Sequence, residues 1–290
     1  MSTIAPPPST APPVTRLPSP PRQTPQPILD EMQAACSARD FPRFKMTFDR
    51  WTSYGFDIHE LSNIMMQAVQ DNFPEIISTL LSHGQPIYNS YAIQAVRSKA
   101  TGVLNTFMEH GWDVNQPMGE LSPTVLAYAV HDEELTTWLL DHGADPNKQC
   151  SIDLTPLSWA VEEASFNTIK LLFNRGADVH KGEPLHHAIN RKSEIVEVLA
   201  LLLERGALVN GKQYENHYNS WRLFFFMGLG TALHQAAWLG KVDAVRYLLE
   251  QGADTSIKDA TDRTPLDWAV NSNHPEIVAI LESAIQERGA

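Results

Sequence analysis

Cysteine is scarce: Cys36 and Cys150 are the two that occur in 290 residues. Two cannot build the disulfide framework of a small secreted fold, and no metal-ligand spacing surrounds either. Basic residues are also few, 22 against 34 acids, for a formal net charge of −12. The first 27 residues carry Arg16 and Arg22 and no acid, which leaves 34 acids against 20 bases in the remainder. A body of that sign lacks the clustered Lys and Arg that phosphate backbones and anionic lipid demand, so neither nucleic acid nor membrane is expected as a partner. No run of 18 apolar residues occurs that would span a bilayer. No Asn-x-Ser/Thr glycosylation site occurs, and Pro6, Pro7 and Pro8 break the stretch where an apolar leader helix would lie. These absences predict a reducing compartment, cytoplasm or nucleus.

Catalytic signatures are missing as well. There is no HExxH, GxSxG or CxxC, and His131-Asp132-Glu133-Glu134 has no second histidine at ligand spacing. Gly206 to Lys212 fits GxxxxGK, but Gln213 stands where a magnesium-binding Ser or Thr is needed. Gly228-Leu229-Gly230 would need a further glycine at 233, which is leucine. The sequence predicts no enzyme activity and no cofactor or metal; an enzyme with an unrecognised site in the insertion described below is the remote alternative.

What is present is a phrase that returns. Thr231-Ala232-Leu233-His234-Gln235-Ala236-Ala237 is followed 21 residues after its threonine by Gly252-Ala253-Asp254. The phrase restarts 33 residues on, at Thr264-Pro265-Leu266-Asp267-Trp268-Ala269. The same register links Thr155-Pro156-Leu157 to Gly176-Ala177-Asp178, Ser90 to Gly111, and Asn63 to Gly84. Each recurring residue has a mechanical role. Thr or Ser caps a helix start, proline suits the first turn, and glycine supplies the left-handed residue that ends the second helix. Paired leucines such as Leu171-Leu172 and Leu248-Leu249 fill the seam between units.

A 33-residue period with this phrase resembles the ankyrin repeat, a turn finger followed by two antiparallel helices. The resemblance implies an all-α solenoid of seven good units, or eight counting a degenerate start at Met32-Gln33-Ala34-Ala35 with about four extra residues before Gly55. The unit from Glu183 to Gly206 is expected to have a second helix about one turn longer than the rest. His83, His110 and His142 each precede a capping glycine, where imidazole suits a helix C-terminus. For His186 and His234 the resemblance implies hydrogen bonds between fingers. Residues 28–290 form the solenoid in this reading. Residues 1–27, with ten of the twenty prolines, form a disordered tail carrying a PxxP-like Arg16–Arg22 and the proline-directed acceptors Ser19-Pro20 and Thr24-Pro25.

The resemblance also implies where a protein partner sits: a concave groove lined by the residues just after the inner-helix alanines. On this chain those are Gln70 and Asp71, Arg97 and Ser98, His131 and Asp132, and Glu162 and Glu163. Asn190 and Arg191, Trp238 and Leu239, and Asn271 and Ser272 continue the row. Finger tips would add Ile152, Leu154, Lys258 and Arg263. The acidic middle predicts a partner with a basic patch, and Trp238 is the residue type that anchors interfaces. Gly206 to Thr231 is about 13 residues too long, and the surplus within about 211–229 includes Trp221, Phe224 and Phe225. Either these aromatics fold back on the stack as a plug, or they extend the groove beside Trp238. The expected function is a monomeric, non-catalytic adaptor or scaffold; the alternative is a regulatory subunit masking an enzyme or a transcription factor.

Overall fold

A computed structural model describes residues 23–289, so the tail up to residue 22, with Arg16–Arg22 and Ser19-Pro20, lies outside the described residues. The chain divides into two compact units at residue 64.

The first unit is a helix pair, α1 (Gln26–Ser37) and α2 (Phe41–Thr52). Asp40 caps α2 by accepting from the Arg43 amide at 3.0 Å. Phe44, Phe48 and Trp51 recur at helical spacing, and their rings stack at 5.6–5.7 Å. They pack with Met32 and Ala35 in a buried seam. The extra residues of this degenerate unit lengthen its helices to 12 residues, against nine in later pairs such as Pro74–Ser82. Its edge lies upstream of the expected boundary at 28. The Thr24 amide donates to Glu60 at 2.8 Å, and its hydroxyl accepts from the Trp51 indole at 2.9 Å. Thr24 is therefore buried, and a kinase could not reach it in this conformation.

Helix α3 (Ser62–Gln70) spans the division, and α4 (Pro74–Ser82) follows. Within the second unit the pairs continue as α5 (Asn89–Arg97) with α6 (Thr101–Glu109) and α7 (Val125–Ala129) with α8 (Glu133–Asp141). Next come α9 (Pro156–Glu163) with α10 (Phe166–Asn174) and α11 (Pro184–Ile189) with α12 (Ile195–Glu204). A lone helix, α13 (Tyr218–Phe224), precedes α14 (Ala232–Trp238) with α15 (Val242–Glu250) and α16 (Pro265–Asn271) with α17 (Pro275–Gly289). One finger is a short antiparallel hairpin, β1 (Pro117–Gly119) and β2 (Ser122–Thr124).

The repeat phrase does what its chemistry predicts. Thr155, Thr231 and Thr264 each form a reciprocal cap with the residue three positions on, Ser158, His234 and Asp267. Imidazole Nδ1 of His83, His110 and His142 sits 2.7–3.0 Å from the carbonyl four residues back. His234 Nε2 reaches the Arg263 carbonyl at 3.1 Å, and His186 Nε2 the Gly230 carbonyl at 3.2 Å, so both histidines tie successive fingers. Asparagines form a second ladder. Asn115 donates to the Gly143 carbonyl and accepts from the Asp145 amide, and Asn147 repeats the pattern with Gly176 and Asp178, all at 2.7–2.8 Å.

One expectation about helix length does not hold. Helix α12 has ten residues, only one more than the nine of α4, α6, α8, α10 and α15, and the surplus lies in the connection from α11. There Glu194 takes a left-handed conformation (φ 54°) and Arg191 folds inward to hold the loop. The guanidinium donates to the carbonyls of Ser193, Val161 and Ala164 at 2.8–3.1 Å, which satisfies the end of α9.

Candidate functional site

The ends of the inner helices form one continuous row, because neighbours in it touch across repeats. Lys99 pairs with Asp132, which also caps α8 through the Leu135 amide. His131 lies 3.3 Å from Glu163. Glu162 meets His187 at 3.2 Å and Asn190 at 3.4 Å. Gln235 then donates to Asn190 at 3.0 Å, and the Trp238 and Trp268 rings meet at 6.3 Å. Hydrogen bonding to Lys99 holds the Asp132 carboxyl below its ordinary range, and the His187 imidazole does the same for Glu162 against the opposing effect of burial. The acidic middle is thus largely paired within the chain.

The expected site residues divide accordingly. Arg97, His131, Glu163, Asn190, Trp238, Asn271 and Lys258 are exposed, as is Gln70. Asp71, Ser98, Asp132, Glu162, Leu239, Arg263 and Ser272 are half-buried. Arg191 is withdrawn from the row, at 6% exposure, by the bonds that hold the α11–α12 loop. Ile152 and Leu154 are buried rather than presented at a finger tip. The reason is the insertion: the Asp153 amide donates to the hydroxyl of Ser220 on α13 at 2.8 Å, so α13 lies against that finger.

The insertion closes on itself. Lys212 and Thr231 pair in an antiparallel bridge, and the Gln213 amide donates to the Gly230 carbonyl at 3.0 Å. His217 caps α13 by accepting from the Ser220 amide. Tyr214 is the residue that folds inward. Its amide donates to Glu183 at 2.8 Å, its ring meets Phe224 at 5.6 Å, and burial with the nearby Glu183 charge pushes its phenol up to about 12. Phe224 is half-buried against it, and the remaining aromatics stay outside. Trp221, Phe225, Phe226 and Met227 are 42–68% exposed, with Trp221 stacked on Phe225 and Phe225 meeting Phe226 edge-on.

Between this ridge and the last two repeats lies a cleft of about 420 Å³. Met227, Leu229, Trp238 and Trp268 supply its apolar walls, with Gln213, Gln235, Asn271 and Ser272 around them. The sequence did not single out Gln235, although it lies three positions before Trp238 on the same helical face. Trp268 is held in place by its indole N–H donating to Asp259 at 2.8 Å and by the His234 ring edge-on at 5.5 Å. Among the described residues no cluster of three metal-ligating side chains occurs, and no helix is long and apolar enough to cross a membrane.

Comparison with known proteins agrees with this repeat architecture. The family model "Ankyrin repeats (3 copies)" matches residues 90–183, 125–213, 181–259 and 210–287. Inversin of Canis lupus familiaris is 31% identical over 175 residues, which is 57% of this chain and 15% of that protein. Ankyrin repeat protein nuc-2 of Neurospora crassa is 27% identical over 81% of this chain and 22% of its own length. The mouse B-cell lymphoma 3 protein homolog is 33% identical over 39% of this chain and 23% of its own. The chain therefore spans less than a quarter of each of these relatives. The matched segments run in an overlapping series over most of the second unit, and on that match the chain belongs to the ankyrin-repeat family.

Proposed function

We propose that this chain is a non-catalytic protein-interaction module that holds a partner along the row of inner-helix ends, with the insertion as part of the contact surface. The observation that carries the reading is Trp238. It stands 52% exposed in the last-but-one repeat of the row, beside a ridge of exposed aromatics. Water-exposed apolar surface of that extent marks an interaction site, and tryptophan is a frequent anchor. Ankyrin repeats serve generally as protein-binding surfaces, and the relatives above are consistent with such a role. The chain acts in this reading as a monomer in the cytoplasm or nucleus, as an adaptor or scaffold. The internal pairing of Asp132, Glu162 and Glu163 weakens the case for a strongly basic partner and shifts the weight to the apolar end of the row.

The test compares the full chain with Trp238→Ala and Phe226→Ser, using Glu197→Lys on the outer helix α12 as a control. Each immobilised protein is passed over cell extract, and retained proteins are identified by mass spectrometry. A protein retained by wild type and the control but lost from both groove variants, with their circular dichroism unchanged, supports the reading. Equal retention by all four overturns it for this face.

A further inference from the structure

We propose that the cleft between the insertion and the last two repeats is an anchor pocket for one uncharged apolar side chain of a partner protein, leucine, methionine or phenylalanine in kind. This deepens the interaction reading above and rests on it. The cleft's volume of about 420 Å³ falls in the range of sites that enclose small organic groups. The Trp238 and Trp268 rings stand at 85° to one another and Met227 adds a polarisable third wall, so three apolar faces surround a guest.

Charge decides which guest fits. Of the residues lining the cleft, Arg263 and His186 are those able to carry a charge, and both are already engaged. Arg263 Nη2 lies 3.0 Å from the buried Asp259 carboxylate, and its guanidinium sits against the Trp268 ring at 5.3 Å. His186 Nε2 is bonded to the Gly230 carbonyl, and its Nδ1 lies 3.0 Å from Glu183. A charged guest would surrender its hydration and meet no unpaired counter-charge, which disfavours acidic and basic anchors alike. Four of the uncharged polar side chains in the lining, Gln213, Gln235, Asn271 and Ser272, can both donate and accept. They suit the amides of a main chain that carries the apolar side chain past the rim.

The cleft is also built before a guest arrives. Trp268 is fixed by Asp259 and His234, and the Ala260 amide holds the Gly228 carbonyl at 2.7 Å. A side chain at Gly228 would run into Arg263, Asp259 and Trp268, so glycine here lets the turn pack closely against the cleft wall. Such preorganisation limits the entropy lost on binding. Met227 belongs both to the cleft and to the exposed ridge, so an anchored partner continues directly onto Phe226 and Phe225.

The experiment titrates the 15N-labelled full chain with N-acetyl-leucinamide and N-acetyl-phenylalaninamide, following the indole N–H signals by NMR. N-acetyl-lysinamide and N-acetyl-aspartamide serve as charged counterparts, and Trp238→Phe assigns the Trp238 signal. Expected is a saturable shift of Trp238 by the apolar amides at low millimolar concentration, with the charged pair without effect. Met227→Ser should weaken the response about tenfold, the loss typical of truncating a contact residue in a packed pocket. Equal response to charged and apolar amides, or none that saturates, overturns the proposal. Its failure is separable from failure of the interaction reading. A partner whose capture depends on Trp238 while no amide binds keeps that reading and overturns the apolar anchor. Amide binding without Trp238-dependent capture keeps the pocket and removes the partner from this face.

Discussion

The Trp268 indole donates to Asp259 Oδ2 at 2.8 Å, and the Arg263 guanidinium meets the same carboxylate oxygen at 3.0–3.1 Å. One acid thereby fixes both the ring that walls the cleft and the cation that crosses it. Burial alone would raise the Asp259 carboxyl, but hydrogen bonds from the Arg263 amide, the Trp268 indole and Thr261 outweigh it and hold it low. Asp259→Asn replaces an acceptor facing several donors with one that is half donor. The expected loss is about 2–3 kcal/mol in urea denaturation, with a red-shifted tryptophan emission. A loss near zero would show that the ring needs no such support. With the folded value depressed, the carboxylate's contribution is complete above the ordinary value of 3.8 and is withdrawn as pH falls through the folded one.

His234 is fully buried, and burial lowers its imidazole to about 4, against the raising effects of the Arg263 carbonyl and Asp259. It is neutral at pH 7, accepting from the Thr231 amide at Nδ1 and donating to the Arg263 carbonyl from Nε2. The unfolded chain takes up a proton below about 6.5 that the folded chain refuses until about 4, so stability is full above that window and falls within it. Between pH 7.5 and pH 5 the loss from this group should be about 2 kcal/mol, read from urea midpoints. His234→Gln should shrink the pH difference even if it lowers stability at both values.

Arg191 should be irreplaceable by lysine. Its three donor nitrogens serve three carbonyls in a fan that an ammonium cannot reproduce. Both Arg191→Lys and Arg191→Met are expected to lose about 2–4 kcal/mol by chemical denaturation, because the α9 carbonyls are left unpaired. If lysine restores full stability, the planar fork is dispensable.

The ridge and the finger beneath it should respond in opposite ways. Phe226 and Tyr218 are 68% and 69% exposed, so serine at either position should change stability by no more than about 0.5 kcal/mol. Ile152→Ser, at a position 8% exposed, should lose about 2–4 kcal/mol. Thermal melts of the three variants check both statements. Marked destabilisation by Phe226→Ser would restore the plug.

The repeats were legible because Thr264, Pro265 and Gly252 act locally: a cap, a first turn and a helix stop need no distant partner. The recurring Asp-x-Asn at 113–115 and 145–147 was equally visible, yet its role as a ladder between fingers emerges only once the fingers stack. Arg191 was misjudged because it follows the inner helix at the register of a groove residue. The lengthened α11–α12 connection turns the side chain inward, and only the fold reveals where that extra length goes. Ile152 misled for a related reason, since its neighbour Asp153 is bonded to Ser220, 67 residues further on. The cleft joins segments around 186, 213, 227–238 and 263–272, and no local spacing announces such a convergence.

The insertion interrupts the period between the sixth and seventh helix pairs, where a one-dimensional stack would be expected to come apart first. Yet bonds cross that junction from both sides: Lys241 Nζ to the Arg191 carbonyl at 2.9 Å, Gln235 to Asn190 at 3.0 Å, and the Asp254 amide to Asn210 at 2.8 Å. With nearest-neighbour coupling intact across it, and with the extra loop itself bonded to the repeats on both sides through Asp153–Ser220 and Gly228–Ala260, those repeats should melt in a single transition rather than as separate foldons.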